Sequence, residues 1–305
     1  MNASQGYEQS KSVGETMALY KANVLAQGAT SGFVLLWGCA AIFTRLGLDN
    51  ASPLALLVFR FAIALGTLLL ISCFRRRCLP EKGTRRQVAL TGIMLIGGYS
   101  VCYFQAMAHG VTPGLIATIM GIQPVLTLCI VERRIQGLRL AGLLLALAGL
   151  VLLVWRSLSA SHLSISGLIF ALAALLFMTF GAIMQKKIRQ SPADVLPLQY
   201  GISLVLCVCL LPMGVFHVSY TPAFFTSVLF LGVLISVVAQ LLLYRLLSAG
   251  SIVNVTTLFY LVPVITAVLD YLLLGNTLPW SGVAGMGAIL LGIMMVFRAP
   301  RPQVA

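Results

Sequence analysis

Two apolar stretches of this chain each carry an internal proline, GLIATIMGIQPVLT at residues 114–127 and LFYLVPVITAVLDYLLLGN at residues 258–276. Pro124-Val125 of the first stretch matches Pro263-Val264 of the second at an offset of 139 residues, and Thr127 matches Thr266 at the same offset. Matches that recur at one fixed offset are typical of an internal duplication. The chain is therefore predicted to contain two copies of one unit.

Further matches lie on both sides of these stretches. At the same offset of 139 residues, Ser52-Pro53 matches Ser191-Pro192, and Arg60 aligns with Gln199. If a four-residue insertion near residues 275–280 is allowed, Gly142 also matches Gly285 and Gly149 matches Gly292. Each match alone is weak. Because serine-proline, proline and glycine pairs recur in the same order, chance is the weaker explanation.

The composition is that of a membrane protein. Hydrophobic residues make up 60% of the 305 positions and charged residues only 9%, whereas about a quarter of an ordinary soluble domain is charged. The mean hydropathy is +1.02. The net charge of +13 does not indicate nucleic-acid binding, because the Lys and Arg residues lie in short groups between apolar runs and not on a polar face.

Ten apolar runs are long enough to cross a membrane, since a helix needs about 20 apolar residues to span the hydrocarbon core. The predicted spans are residues 25–46, 53–74, 88–108, 113–131, 138–155, 164–185, 195–216, 225–247, 251–273 and 280–297. We therefore predict an all-α integral membrane protein with ten transmembrane helices.

The basic residues are distributed unequally between the two sides of this predicted bundle. Seventeen of the 20 Lys and Arg residues lie on the side of the two chain ends, Arg45 and Arg156 lie on the other side, and Arg60 lies within a span. Loops rich in Lys and Arg stay in the cytoplasm. A multi-pass protein of the cell inner (plasma) membrane is thus predicted, with both termini in the cytoplasm.

Each copy of the duplicated unit holds five spans, an odd number, so the second copy must enter the membrane from the opposite side. The predicted organisation is a cytoplasmic tail at 1–23, a five-helix repeat at 24–156, a second, inverted five-helix repeat at 163–298 and a cytoplasmic tail at 299–305. Inverted repeats favour transport by alternating access, because the two halves can exchange conformations.

In the order of these motifs the chain resembles the drug/metabolite transporter superfamily, specifically its ten-helix EamA-domain members. The resemblance is carried by Ser52-Pro53 followed by Arg60, by the stretch 114–127 leading to Glu132, by GLLLALAGLVLLV at 142–154 and by the second copy at 258–276. It covers nearly the whole chain after residue 24. The resemblance implies an inward-facing central cavity between the halves, and export or exchange of amino acids, other metabolites or drugs.

Arg60 is the most informative single side chain. A charge near the bilayer centre costs roughly 2.5 to 3.5 kcal/mol and tends to face the protein interior. Asp270, at a similar predicted depth, is its predicted partner in an ion pair or gate. Arg60 could anchor a substrate carboxylate or form a purely structural pair, and the sequence leaves both open.

Pro124 and Pro263 are predicted hinges, since an internal proline removes a backbone donor and frees the carbonyl group one turn earlier. A static kink is the alternative. Besides Arg60, the side chains predicted to line a substrate cavity are Trp37, Tyr99, Tyr103, Gln123, Gln240, Tyr244, Asn254 and Tyr260. Few of them are charged, so the cavity suits neutral, zwitterionic or amphipathic solutes. Glu132 is expected to pair with Arg133 or Arg134.

Other functional classes fit the sequence less well. The seven cysteines include no CxxC pair and have no companion histidines, so no metal site is predicted. Without a GxxxxGK[ST] motif, this chain alone does not drive transport with ATP. An intramembrane enzyme acting on lipid-linked substrates would need a paired acid and base at membrane depth. A membrane assembly subunit would not need an inverted repeat.

The predicted function is therefore a secondary transporter that exports small metabolites or drugs, and not an enzyme. It needs no cofactor. Its predicted partners are a small-molecule substrate and the lipid bilayer, with no nucleic acid. A monomer and a homodimer both remain open.

Overall fold

The computed structural model describes residues 28–75, 79–132, 135–155, 164–274 and 279–299, without the side chains of residues 269, 270 and 272–274. Ten apolar helices occupy these ranges. In chain order they are α1 (Gly28–Leu48), α2 (Pro53–Arg75), α3 (Arg85–Ala108), α4 (Pro113–Val131), α5 (Gly137–Leu153), α6 (Ile165–Lys186), α7 (Pro192–Met213), α8 (Pro222–Ala249), α9 (252–274) and α10 (Trp280–Arg298).

The helices have the length and surface of membrane spans. Eight are long and apolar enough to cross a membrane, and α5 and α9 are two shorter apolar helices. Large apolar side chains such as Leu70, Phe74 and Ile169 are exposed, which suits a lipid environment and not water. The chain is a multi-pass membrane protein, and the ten predicted helices are confirmed.

Four helices begin at a proline that follows a serine or threonine. Pro113 and Pro222 follow Thr112 and Thr221, whose side chains accept hydrogen bonds from backbone N–H groups of the first turn. The helices α2 and α7 also start at a proline. Proline fits the first position because the N–H group that it lacks has no partner inside the helix.

The helices α5 and α10 run antiparallel in direct backbone contact. A Cβ atom placed on Gly142 would lie 2.7 Å from the carbonyl oxygen of Gly292, and one on Gly149 would lie 2.6 Å from that of Gly285. In the two repeats, Gly142 is equivalent to Gly285 and Gly149 is equivalent to Gly292. The repeat symmetry therefore converts the contact of Gly142 with Gly292 into the contact of Gly285 with Gly149. Such reciprocal contacts are the pattern of a two-fold axis. The predicted inversion of the two five-helix repeats is confirmed.

The axis passes through the centre of the bundle, beside Tyr260. Its hydroxyl group donates a hydrogen bond of 2.6 Å to the carbonyl oxygen of Gly121, and the two positions are 139 residues apart. This separation equals the offset of the repeat. Equivalent positions can touch only next to the axis that relates them, so Gly121 and Tyr260 mark where the two halves meet.

Helix irregularities occur at corresponding places in the two halves. The helices α3 and α8 contain π-helical segments at Ile93–Gly98 and Phe230–Ala239. The helix α4 is interrupted just before Pro124, and α9 contains a 3₁₀ turn at Leu258–Tyr260, just before Pro263. The interruptions that the two prolines predict are therefore present, and the hinge role stays a prediction.

Candidate functional site

A cavity of about 510 Å³ lies between the two repeats, against Gly121 and Tyr260 at the axis. Its walls come from helices of both repeats, namely α1 to α5 of the first and α6, α8 and α9 of the second. We call the face of the bundle where α1 begins and α10 ends the terminal face, and the other the opposite face. Because both repeats line the cavity, a conformational exchange between them would change the face of the bundle to which the cavity opens.

The cavity contains most of the residues that the sequence singled out. Six of the nine predicted substrate-binding residues line it, and so do both predicted hinge prolines; they are Trp37, Arg60, Tyr99, Tyr103, Gln123, Tyr260, Pro124 and Pro263. These side chains come from five helices, four of the first repeat and one of the second. Their role in binding a substrate stays a prediction.

The cavity lies toward the opposite face. Pro113 is the first residue of α4, Val154 directly follows α5 and Pro279 directly precedes α10; all three lie at the opposite ends of their helices and line the cavity. The resemblance implied an inward-facing cavity, on the side of the chain ends. The lining residues belong to the middle and the opposite half of the bundle, so with the predicted orientation of the chain ends the cavity faces outward in this conformation.

Arg60 lies in α2, two turns from the opposite face, and lines the cavity. Its Nε atom donates a hydrogen bond of 2.8 Å to Oγ of Ser236, in the π-helical segment of α8. Its guanidinium carbon is 5.7 Å from the ring centre of Phe61 and 5.8 Å from that of Phe104, which is cation–π distance. No ion pair between described side chains includes Arg60.

Aromatic rings and one amide form much of the remaining wall. The rings of Trp37 and Phe259 meet edge to face at 5.5 Å, and those of Tyr99 and Tyr103 are 5.7 Å apart. Gln123 is 1% exposed, and its Nε2 atom has no hydrogen-bond partner among the described residues. A buried amide without a partner costs free energy, so this group is available for a ligand.

A buried polar cluster lies at the terminal face, below the cavity. Arg139 of α5 is 2% exposed. Its guanidinium group forms an ion pair with Glu132 at the end of α4, and donates to Asn254 Oδ1 at 2.5 Å and to Ser251 Oγ at 3.4 Å, both at the start of α9. These four residues, here called the Arg139 cluster, join the two repeats across the terminal face.

The partner of Glu132 differs from the expected one. The expected partners Arg133 and Arg134 lie outside the described residues, and the structure shows an ion pair with Arg139. Arg139 is one of the 17 basic residues assigned to the side of the chain ends, and it lies two residues after the start of α5. Its burial shows that a basic residue near the end of a span can still point into the bundle.

Lys186 is a second cationic contact at the terminal face. Its Nζ atom donates to the carbonyl oxygens of Leu247, Ser248 and Gly250 at 2.5, 3.3 and 2.6 Å. A cation at these unpaired carbonyl groups is favourable at the carboxyl end of a helix. The end of α6 is thereby bound to the end of α8.

Three predicted cavity residues lie elsewhere. Asn254 belongs to the Arg139 cluster. Tyr244 donates a hydrogen bond of 2.7 Å to Gln199, which donates one of 2.9 Å to Gln185, and Gln240 is buried one turn before Tyr244. Gln240, Tyr244 and Asn254 do not line the cavity in this conformation, because all three lie in the terminal half of the bundle; their role in binding a substrate stays a prediction.

The predicted pair of Arg60 with Asp270 involves a side chain outside the described residues. Position 270 is in α9, one turn beyond the cavity-lining Thr266, but its side chain lies outside the described residues. The pair stays a prediction.

Sequence reasoning missed two residues of the site. Ser236 is the only polar residue of the segment FLGVLISVVA at 230–239, and this isolation was the available signal. Phe259 lines the cavity next to Trp37, and nothing in an apolar stretch distinguishes it from the residues that face lipid.

Comparison with known proteins agrees with this architecture. The model of the EamA-like transporter family matches the chain twice, at residues 29–155 and 165–298. A solved crystal structure, at 18% sequence identity, superposes with a TM-score of 0.74 over 90% of this chain and 97% of its own. At that identity the likeness concerns the fold.

Two curated relatives are named as transporters. A "Probable amino-acid metabolite efflux pump" of Salmonella typhimurium is 27% identical over 85% of this chain and 90% of its own length. An "Uncharacterized inner membrane transporter" of Escherichia coli is 26% identical over 41% of this chain and 42% of its own. The family and these relatives are described as transporters and not as enzymes. Since the family model matches both halves of the ten-helix bundle, the chain belongs to the EamA-like transporter family.

Proposed function

We propose that this transporter exports small metabolites, amino acids or related compounds, across the inner membrane by alternating access. The terminal face lies in the cytoplasm in this proposal, because 17 of the 20 basic residues are on that side in the sequence and positive loops stay inside. The name of the Salmonella relative supports the substrate class.

The observation that carries the proposal is the position of the cavity. It lies between two inverted repeats, beside the axis that Gly121 and Tyr260 mark. If the two repeats exchanged their conformations, the residues near the axis would line a cavity that opens to the terminal face. One binding site would then be reached from either side of the membrane in turn.

The conformation in hand is the one with access toward the opposite face. For the other state to form, the Arg139 cluster must separate, because it joins α4 and α5 to α9 across the terminal face. The interrupted stretches before Pro124 and Pro263 provide places where α4 and α9 could bend without breaking regular helical hydrogen bonds. Both stretches line the cavity, so bending would be coupled to its shape.

The proposal is tested with purified protein in proteoliposomes. Vesicles loaded with an unlabelled mixture of amino acids are expected to accumulate labelled amino acid from outside by counterflow, with saturation. Ala117→Phe places a ring in the cavity that Ala117 lines, so it should abolish the accumulation. Ala148→Phe, on the exposed surface of α5, is the matched control and should leave it intact.

Two results would contradict the proposal. One is the absence of saturable counterflow for amino acids and for a broader panel of metabolites, in vesicles where the protein is folded and inserted. The other is full activity of Ala117→Phe, since a solute that passes through this cavity cannot tolerate a ring inside it.

A further inference from the structure

We propose that the cavity selects solutes by a carboxylate group, which Arg60 and Gln123 bind, and that the aromatic wall receives an apolar body attached to it. This inference rests on the proposed transport function and names the chemical class that the same site takes. The carboxylate can belong to an amino acid or to an organic acid without an amino group, and the test below separates these two sources.

The first argument is the charge of Arg60. It is the one formally charged side chain among the described residues that line the cavity. A guanidinium group at membrane depth is costly unless an anion or several acceptors compensate it. The described structure provides one hydroxyl acceptor, Ser236, and two aromatic faces, Phe61 and Phe104. The fork of a guanidinium group matches the two oxygens of a carboxylate.

The second argument is the type of polar group that is left over in the cavity. The Nε2 atom of Gln123 is a buried donor without a partner among the described residues. Thr266, another lining residue, already donates its hydroxyl hydrogen to the carbonyl oxygens of Gly38 and Val262. The one buried side-chain atom of the described cavity lining that lacks a partner is therefore a donor, which needs an acceptor such as a carboxylate and not an ammonium group.

The third argument concerns the rest of the solute. Trp37, Tyr99, Tyr103 and Phe259 contribute rings to a cavity of about 510 Å³, within the range of sites for small organic molecules. These rings bind an apolar or aromatic body by burial and stacking. A fully hydrophilic anion such as phosphate would leave this wall without a contact.

The test uses two sets of three probes that differ by one charged group. The first set is phenylalanine, phenylpropionate, which lacks the amino group, and phenethylamine, which lacks the carboxylate. The second is leucine, isocaproate and isopentylamine. Binding to the detergent-solubilised protein is measured by quenching of tryptophan fluorescence, and transport is measured by counterflow in proteoliposomes.

The expected result is that the carboxylate-bearing probes bind and the two amines do not. Arg60→Gln should raise the Kd of the carboxylates by about 30-fold or more, because removing one partner of a buried charge pair costs at least about 2 kcal/mol, at 1.4 kcal/mol per factor of ten. Arg60→Lys should restore part of the affinity. Arg45→Gln, which removes an exposed arginine bound to Asp49, is the matched control and should change nothing.

The pattern within each set identifies the source of the carboxylate. Equal binding of the amino acid and its deaminated analogue means that the site reads the carboxylate alone. If the amino acid binds and its deaminated analogue does not, a second group of the protein binds the amine. Asp270→Asn then tests the acidic position on α9. Both patterns support the proposal.

Three results would overturn the inference. They are binding of the amines as tight as that of the acids, carboxylate binding unchanged in Arg60→Gln, and failure of both sets to bind. Failure of the transport function is a separate result, since carboxylate binding that depends on Arg60 can be measured in a protein that shows no counterflow.

Discussion

Two arginines inside the helix bundle of this transporter have opposite surroundings. Arg139, at the terminal face, has a carboxylate partner in Glu132 and further acceptors in Asn254 and Ser251. Arg60, in the cavity, has one serine hydroxyl group and two aromatic faces among the described residues. Both side chains come from the first repeat, and both contact the second.

The difference separates a structural charge from one that is available to a ligand. The protein itself compensates Arg139, so that charge holds helices together. Arg60 donates one hydrogen bond, through Nε, to a described residue, so its remaining N–H groups can donate to a ligand in a space large enough for a solute. A buried charge in a membrane protein is thus interpreted from its partners as much as from its depth.

The largest expected effect is a difference in access between the two regions. In a background without the native cysteines, Ala41→Cys in the cavity should react with a membrane-impermeant thiol reagent applied outside intact cells. Ser251→Cys, in the Arg139 cluster, should not react. The reagent reaches only groups that are open to the opposite face, and labelling is measured by mass spectrometry of the purified protein.

Labelling of Ser251→Cys but not of Ala41→Cys would reverse the proposed orientation. Addition of a transported solute should protect Ala41→Cys, which lines the same cavity.

The next effect is on stability. Arg139→Met should destabilise the protein by about 3–5 kcal/mol, because it leaves Glu132 buried without its counter-charge. Arg60→Met should leave the melting temperature unchanged or raise it, since no described carboxylate depends on Arg60. Thermal unfolding in detergent, followed by fluorescence, measures both variants.

A double variant controls for the change of side-chain shape. Replacing the pair together, with Arg139→Met and Glu132→Leu, should recover most of the lost stability, because an apolar pair needs no counter-charge. An equal loss of stability in Arg60→Met and Arg139→Met would remove the distinction between the two arginines.

The smallest expected effects concern two amide side chains, Asn254 in the Arg139 cluster and Gln123 in the cavity wall. Asn254→Leu should cost about 1–3 kcal/mol of stability, since it takes an acceptor from a buried cation. Gln123→Leu removes an amide whose Nε2 atom has no described partner, so stability should not fall. Its carboxylate affinity should fall by about 2- to 10-fold, which corresponds to one hydrogen bond of 0.5–1.5 kcal/mol. A stability loss in Gln123→Leu that matches that in Asn254→Leu would make Gln123 a structural residue.

The sequence predicted the helices and their inversion well, because both depend on local signals. Long apolar runs mark the spans, and the recurring glycines at 142, 149, 285 and 292 mark a contact that the structure contains. Six cavity residues could also be chosen, since polar and aromatic side chains in apolar spans tend to face the interior.

The sequence could not predict how far the cavity extends along each helix. A span shows which face of a helix is polar but not which half of the bundle is open in a given conformation, so the sequence could not show that Gln240, Tyr244 and Asn254 lie outside the cavity in this one. The burial of Arg139 was missed because its partners, Glu132 and the start of α9, are joined only by folding.

In the transport cycle proposed above, the Arg139 cluster would also make the two end states unequal in energy. Arg139 lies three residues before Gly142, and the equivalent position before Gly285 is Gly282, which has no side chain to form a matching ion pair at the other face. In that cycle the empty protein would be biased toward the state that is shut on the terminal side. For an exporter with that side in the cytoplasm, such a bias lowers the apparent affinity for the internal solute. The protein would then export a metabolite at an appreciable rate only after its concentration in the cell has risen.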